Sequence, residues 1–283
     1  MTRARDDAIL EREAAEAPLA SPAAAGSADE EPGRSARLWL ARLALAVVVI
    51  GVWEAVGGRW VDIFWVSKPS LIVRNLIDQV VSGDLSFHLS ATLEEVAIGL
   101  VAGGGIGVFF GLVLGRRPVL ADVLNPFIIA FYSLPKVALA PLFILWFGID
   151  LLFKVILVAV IVAFLVFFNT YSGVREVNPN LVNVLRVMGA TNQEIFRQVI
   201  LPSAGSWILT GFRIAVPYAL IGAVVGEMMA SSKGIGYRLT YAAQMFDTTG
   251  VFTALLVLML VAAVLNEIVS RVEAWALRWK GKG

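Results

Sequence analysis

NPNLVNVLRVMGATNQEIFRQVILP, residues 178–202, is a polar interruption in a chain otherwise dominated by long apolar runs. Leu181, Val184, Leu185 and Met188 fall at i, i+3, i+4 and i+7, one apolar stripe of a short helix. Gly189 follows, the residue that lets a helix end in a left-handed turn without a Cβ clash. Thr191 and Glu194 then have the spacing of a capping box, in which each side chain accepts the other's backbone N–H. The helix they start would carry Ile195, Phe196, Val199 and Ile200 on its apolar face, and Pro202 is expected to keep it from running unbroken into the next segment. The segment therefore predicts two short amphipathic helices around a glycine turn, neither with the roughly 20 residues a bilayer crossing needs. By spacing alone it could also be an amphipathic hairpin lying on a membrane surface.

The surroundings of this hairpin are membrane-like. Of 283 residues, 58% are hydrophobic and 16% charged, with mean hydropathy +0.79, whereas soluble domains carry about 25% charged residues. The net charge of +1 gives no case for nucleic acid. Cysteine is absent, which excludes disulfides, thiolate metal sites and cysteine nucleophiles, and the single histidine, His88, rules out a multi-histidine centre. No G-x-x-x-x-G-K-[ST] phosphate loop occurs in the sequence, so ATP coupling by that route must come from a separate polypeptide.

Taken in order, residues 1–34 are rich in Ala, Glu, Asp, Arg, Pro and Ser and read as a disordered cytoplasmic tail rather than a cleaved signal. Residues 35–283 form the membrane domain, with six expected spans. The first is Leu38 to Val56. Residues 57–91 leave the membrane and include a surface helix over 70–82, closed by Gly83; His88 is expected to be exposed or locally bonded. The second span, Thr92 to Gly115, opens on a Thr92/Glu95 capping box and carries Gly99, Gly103, Gly107, Gly111 and Gly115 four apart, a face on which a neighbouring helix can approach closely. The third stretch, Val119 to Phe147, would be roughly 43 Å long as one helix, more than the hydrocarbon core it must cross. Pro126, Pro135 and Pro141 predict that it breaks, near Leu134–Lys136. Broken helices persist at membrane depth where they line a cavity or are buried in protein, which makes Ser133, Leu134, Pro135 and Lys136 candidates for a translocation route. Alternatively, Lys136 reaches an interface or pairs with a carboxylate such as Glu227. The fourth span is Leu151 to Asn169, the fifth Ser203 to Met229 and the sixth Val251 to Ser270. In the fifth, Arg213 and Glu227 are also pathway candidates, but about 21 Å of helix separates them, so they cannot pair.

Orientation follows from loop charge. Twelve Lys and Arg residues (34, 37, 42, 116, 117, 175, 186, 197, 271, 278, 280, 282) fall on one side and six (59, 68, 74, 154, 233, 238) on the other. The positive-inside rule places both termini and the 178–202 hairpin in the cytoplasm.

Gly189, nine intervening residues and then Val199, Ile200, Leu201 and Pro202 resemble the EAA loop, EAA-x3-G-x9-I-x-L-P, of binding-protein-dependent ABC importer permeases. Asn183, Val184 and Leu185 stand where the family has Glu, Ala and Ala, and Val199 replaces its Ile. LPKVALAPLFILWFGI (134–149) and GFRIAVPYALIGAVVGEMMASSKGIGY (211–237) look like the nitrate/sulfonate/taurine branch, and the resemblance covers Leu38 to Trp279. It implies an all-α type I transmembrane domain with six helices in a bacterial inner membrane. Implied partners are a second copy of itself, two ATPase subunits that bind ATP and Mg, and a periplasmic or lipid-anchored substrate-binding protein. It implies no cofactor and no catalytic or metal-binding residue in this chain. The coupling helices, about 178–202, would present Arg186, Met188, Gly189, Ala190, Thr191, Glu194, Phe196, Leu201 and Pro202 to the ATPase. Expected cargo is nitrate, a sulfonate, taurine or a similar small solute, with a heteroaromatic vitamin precursor as the alternative. A secondary transporter driven by an ion gradient would need coupling carboxylates or an inverted repeat; Glu227 is the one candidate, and no repeat is visible. An intramembrane enzyme would need paired Asp residues, a His/Glu metal set or a Ser–His arrangement within the spans, and the one histidine lies outside those expected. A neighbouring gene for a phosphate-loop ATPase would separate these classes.

Overall fold

The computed structural model describes residues 34–278, all of whose regular elements are helical. The tail expected over residues 1–34 lies outside the described residues, save Arg34, which begins α1 (Arg34–Val56). The chain divides between Val52 and Trp53 into two compact units. Most of α1 belongs to the first, where the Arg42 guanidinium lies 5.6 Å from the Trp39 ring.

The second unit begins with the end of α1, whose Glu54 carboxylate accepts the Ser70 backbone N–H (2.9 Å) and hydroxyl (2.8 Å). These bonds fix the start of α3 (Pro69–Val81), which follows the single turn α2 (Ile63–Val66). Gly83, at φ +79°, closes α3 and leads straight into α4 (Asp84–Gly115). The capping box expected at Thr92 and Glu95 does not form. With Asp84 supplying the negative charge that a first helical turn favours, the helix starts two turns earlier and buries Thr92 and Glu95 in its interior.

The core is a three-helix packing of α4, α7 (Leu151–Arg175) and α10 (Leu201–Met229). The glycine row of α4 lies on α7. A Cβ at Gly107 would stand 2.6 Å from the Ala163 carbonyl oxygen, and one at Gly115 2.6 Å from Val174 Cβ. Gly99, Gly103 and Gly111 meet Val158, Ala159 and Thr170 at similarly short range. On its other side α7 receives Gly211, Gly222 and Gly226 of α10, against Asn169, Ile161 and Lys154. Between these rows Val96, Val158, Val162, Val166, Ala215 and Ala219 form a continuous buried cluster. Small residues on two neighbours thus let the β-branched α7 sit at close range, the route to tight packing where lipid offers no hydrophobic drive.

The third span is broken as the prolines predict. α5 (Pro118–Ser133) ends at Leu134, a single 3₁₀ turn covers Lys136–Leu139, and α6 (Ala140–Phe147) departs at 82°. The expected stop at Pro202, by contrast, is absent. After α8 (Pro179–Val187), α9 (Asn192–Ile195) passes through a π turn, Phe196–Ile200, directly into α10. The Leu201 N–H bonds five residues back to Phe196 O, and the widened turn brings Pro202 to the first positions of α10, where no donor is required. Asn192–Met229 therefore acts as one apolar span. α11 (Ile235–Gln244) and α12 (Thr248–Ala276) complete the described chain; the Asp247 carboxylate caps α12 by accepting Gly250 N–H at 2.9 Å. Among the described residues, five helices are long and apolar enough to cross a membrane, and the bent α5/α6 pair, taken as one span, makes six.

Candidate coupling surface, broken span and buried charge cluster

The 178–202 hairpin is built by local chemistry. The Asn178 side chain caps α8 by accepting Asn180 N–H at 2.9 Å. At the other end Gly189 takes φ +85°, its N–H bonds Arg186 O at 3.0 Å, and Ala190 N–H bonds Leu185 O at 2.9 Å. This is the Schellman arrangement that a left-handed C′ residue permits. The Thr191/Glu194 capping box forms, with Thr191 N–H donating to Glu194 Oε2 at 2.7 Å and Glu194 N–H to Thr191 Oγ1 at 3.3 Å. Ile195 is buried and Phe196 half-buried under the Arg116 guanidinium, 4.4 Å from the ring centroid. Leu181, Val184, Val187 and Met188 stay exposed, Val187 to 89%. Arg186, Thr191, Glu194 and Leu201 are exposed beside them, while Ala190 and Pro202 are half-buried. The hairpin is thus a rigid, capped element with an apolar ridge facing outward.

At the break, Ser133, Leu134 and Pro135 are exposed and Lys136 is half-buried. Ser133 Oγ donates back to Ile129 O at 2.9 Å. The Lys136 ammonium donates to Tyr132 O and sits 4.4 Å from the Tyr132 ring centroid and 5.0 Å from that of Phe164. It does not pair with Glu227, because aromatic faces and a helix-terminal carbonyl supply its negative surroundings. Arg213 forms an ion pair of 3.2 Å with Glu273 of α12, so it and Glu227 occupy separate environments.

Glu227 belongs to a cluster that loop-based charge counting misses. Lys154, assigned to a loop by that counting, is 2% exposed and ion-paired with Glu95 of α4; its ammonium also donates to Ser231 Oγ at 3.1 Å. Glu227 accepts the Thr92 hydroxyl at 2.6 Å and the Gly236 N–H at 2.6 Å. Thr92 Oγ1 in turn accepts Ile235 N–H at 2.9 Å. His88 is buried rather than exposed, and it is bonded both locally and at long range: Nε2 faces Asp84 Oδ1, one turn earlier, at 3.4 Å, and Nδ1 accepts Gly234 N–H at 3.0 Å. Asp84 also pairs with Arg238 at 3.1 Å. The available signal was His88, Thr92 and Glu95 at helical spacing on one face of α4, with a lysine inside the apolar run of α7.

Comparison with known proteins agrees with this architecture. Residues 103–278 match the family described as binding-protein-dependent transport system inner membrane component. A putative aliphatic sulfonates transport permease, SsuC, of Bacillus subtilis (strain 168) is 34% identical over 252 residues, covering 89% of this chain and 91% of that one. The formylaminopyrimidine transport permease ThiX of Halalkalibacterium halodurans is 32% identical, covering 83% and 94%. Among solved structures, an inward-facing MetNI methionine ABC transporter superposes with TM-score 0.59 at 21% identity, covering 72% of this chain and 95% of that one; at that identity the likeness concerns fold. With a family match over most of its length and full-length relatives above 30% identity, the chain belongs to the inner-membrane permease components of binding-protein-dependent ABC transport systems.

Proposed function

We propose that this permease carries a small anionic solute of the sulfonate kind, and that its 178–202 hairpin is the surface on which a separate ATPase acts. The carrying observation is the apolar ridge Leu181, Val184, Val187 and Met188, exposed on an element whose two ends are both capped. Such a patch is rigid before any partner arrives, so docking does not have to order it. The positive-inside count supports a cytoplasmic hairpin, where an ATPase with bound ATP and Mg would meet it. Two copies of the chain would enclose the path, and a substrate-binding protein on the opposite face would deliver cargo. Catalysis of hydrolysis is left to the partner, since this sequence has no phosphate loop.

The sulfonate reading rests on the 34% identical relative together with a lysine at the helix break. A heteroaromatic vitamin precursor is the second reading, favoured by the 32% identical formylaminopyrimidine permease. Gly189→Val tests the coupling surface. A β-branched residue at φ +85° costs about 1–3 kcal/mol of local strain. Uptake and ATPase stimulation should fall while the protein still inserts in the membrane; unchanged values of both would remove the hairpin from coupling. Uptake of labelled alkanesulfonate against labelled aminopyrimidine, with the cognate receptor present, decides the cargo.

A further inference from the structure

Glu95, Lys154 and Glu227 meet where α4, α7 and α10 reach the start of α11, and they are 0%, 2% and 1% exposed. Lys154 pairs with Glu95 Oε1, which leaves Glu95 Oε2 buried without a donor. Glu227, the second buried carboxyl of the site, accepts the hydroxyl of Thr92, which stands one helical turn before Glu95 on α4. Two ionised carboxylates are both acceptors only, so they cannot bond to each other. Two negative charges against one ammonium would also leave a bare anion inside a dry helix bundle, at a cost of several kcal/mol. Among the described residues, the Lys154–Glu95 contact is the ion pair that either carboxylate makes. Arg238 is engaged with Asp84, and His88 accepts Gly234 N–H through Nδ1, which requires the neutral imidazole with its hydrogen on Nε2. Among the described residues, no group of three or more His, Asp or Glu side chains is placed to hold a metal ion.

We infer that Glu95 and Glu227 share one proton, and that the resulting neutral Glu95–Lys154–Glu227 cluster is a latch fastening the N-terminus of α11 to the transmembrane bundle. The N–H groups of Gly234, Ile235 and Gly236, which a helix start leaves without backbone partners, go to His88 Nδ1, Thr92 Oγ1 and Glu227 Oε2. Glu227 reaches Gly236 and Thr92 with its two oxygens, so the state of the carboxyl pair bears directly on two of the three bonds. The Lys154–Ser231 contact ties the preceding turn to the same charges.

Glu95→Gln separates this from an ordinary ion pair. The amide imitates the protonated acid: its NH₂ donates to Glu227 and its oxygen accepts from Lys154. In the full chain held in lipid nanodiscs, Glu95→Gln should keep the thermal midpoint and the slow hydrogen exchange of the 231–240 region. It should also remove the protonated-carboxyl band from the infrared spectrum. Lys154→Met leaves the anion uncompensated and should speed exchange in that region by on the order of a hundredfold, the ratio that ~3 kcal/mol lost from a buried pair implies. Three results would each overturn the latch. They are an infrared spectrum of the unsubstituted chain without a protonated-carboxyl band, a Glu95→Gln protein as unstable as Lys154→Met, and a thermal midpoint that rises with sodium or potassium only while Glu95 is present.

Discussion

Lys136 lies one residue beyond Pro135, and its ammonium is held by the Tyr132 carbonyl and two aromatic faces rather than by a carboxylate. Such surroundings leave the positive charge unneutralised, so it remains available to an anion arriving at the exposed Leu134–Pro135 break. Lys136→Met should raise the apparent uptake KM for an anionic solute roughly fivefold, as ~1 kcal/mol of point-charge attraction implies, with protein abundance unchanged. Lys136→Arg should largely preserve KM, since the charge persists. A fall in abundance without a KM change would make the lysine a helix-end brace. The break itself could be read from Pro135 because proline's missing donor acts locally. Nothing local reports the aromatic cradle, since Phe164 comes from α7, twenty-eight residues away.

At the level of elements, the α4–α7 contact sets how close two spans can lie. Gly107→Leu would drive a side chain into the Ala163 carbonyl and the Phe167 backbone, an overpacking that costs about 1–3 kcal/mol or more. Expression and thermal midpoint should drop while the choice of cargo is retained; a stable variant with altered cargo would instead place this face on the route. The glycine row was legible because its four-residue period is a property of one helix. So were the Gly189 turn and the Thr191/Glu194 box, whose partners all lie within six residues. Thr92 and Glu95 show the same four-residue pattern yet do not cap their own helix, because eight further helical residues precede them and their partners come from α7, α10 and the first residue of α11. Lys154 was misplaced for the same reason: its counter-charge lies fifty-nine residues away in sequence. Pro202 failed as a stop because a π turn, which carries no sequence signature of its own, absorbed it.

For the whole molecule, the permease carries an outward apolar ridge but no phosphate loop. The purified chain should therefore hydrolyse no ATP, and hydrolysis should appear only when the partner ATPase is added; turnover by a preparation shown to contain this polypeptide alone would refute that division of labour. The continuity of Asn192–Met229 bears on how the two ends of such a machine communicate. The element begins in the capped hairpin and ends two residues past Glu227, so about 53 Å of helix joins the exposed hairpin to the buried charges beneath α11. No loop intervenes to dissipate a push. A tilt imposed at Thr191 would reach Glu227 as a displacement, as in a crankshaft, and the π turn at Phe196–Ile200 and the interior Pro217 are the interruptions of the helical ladder where torsion can be taken up.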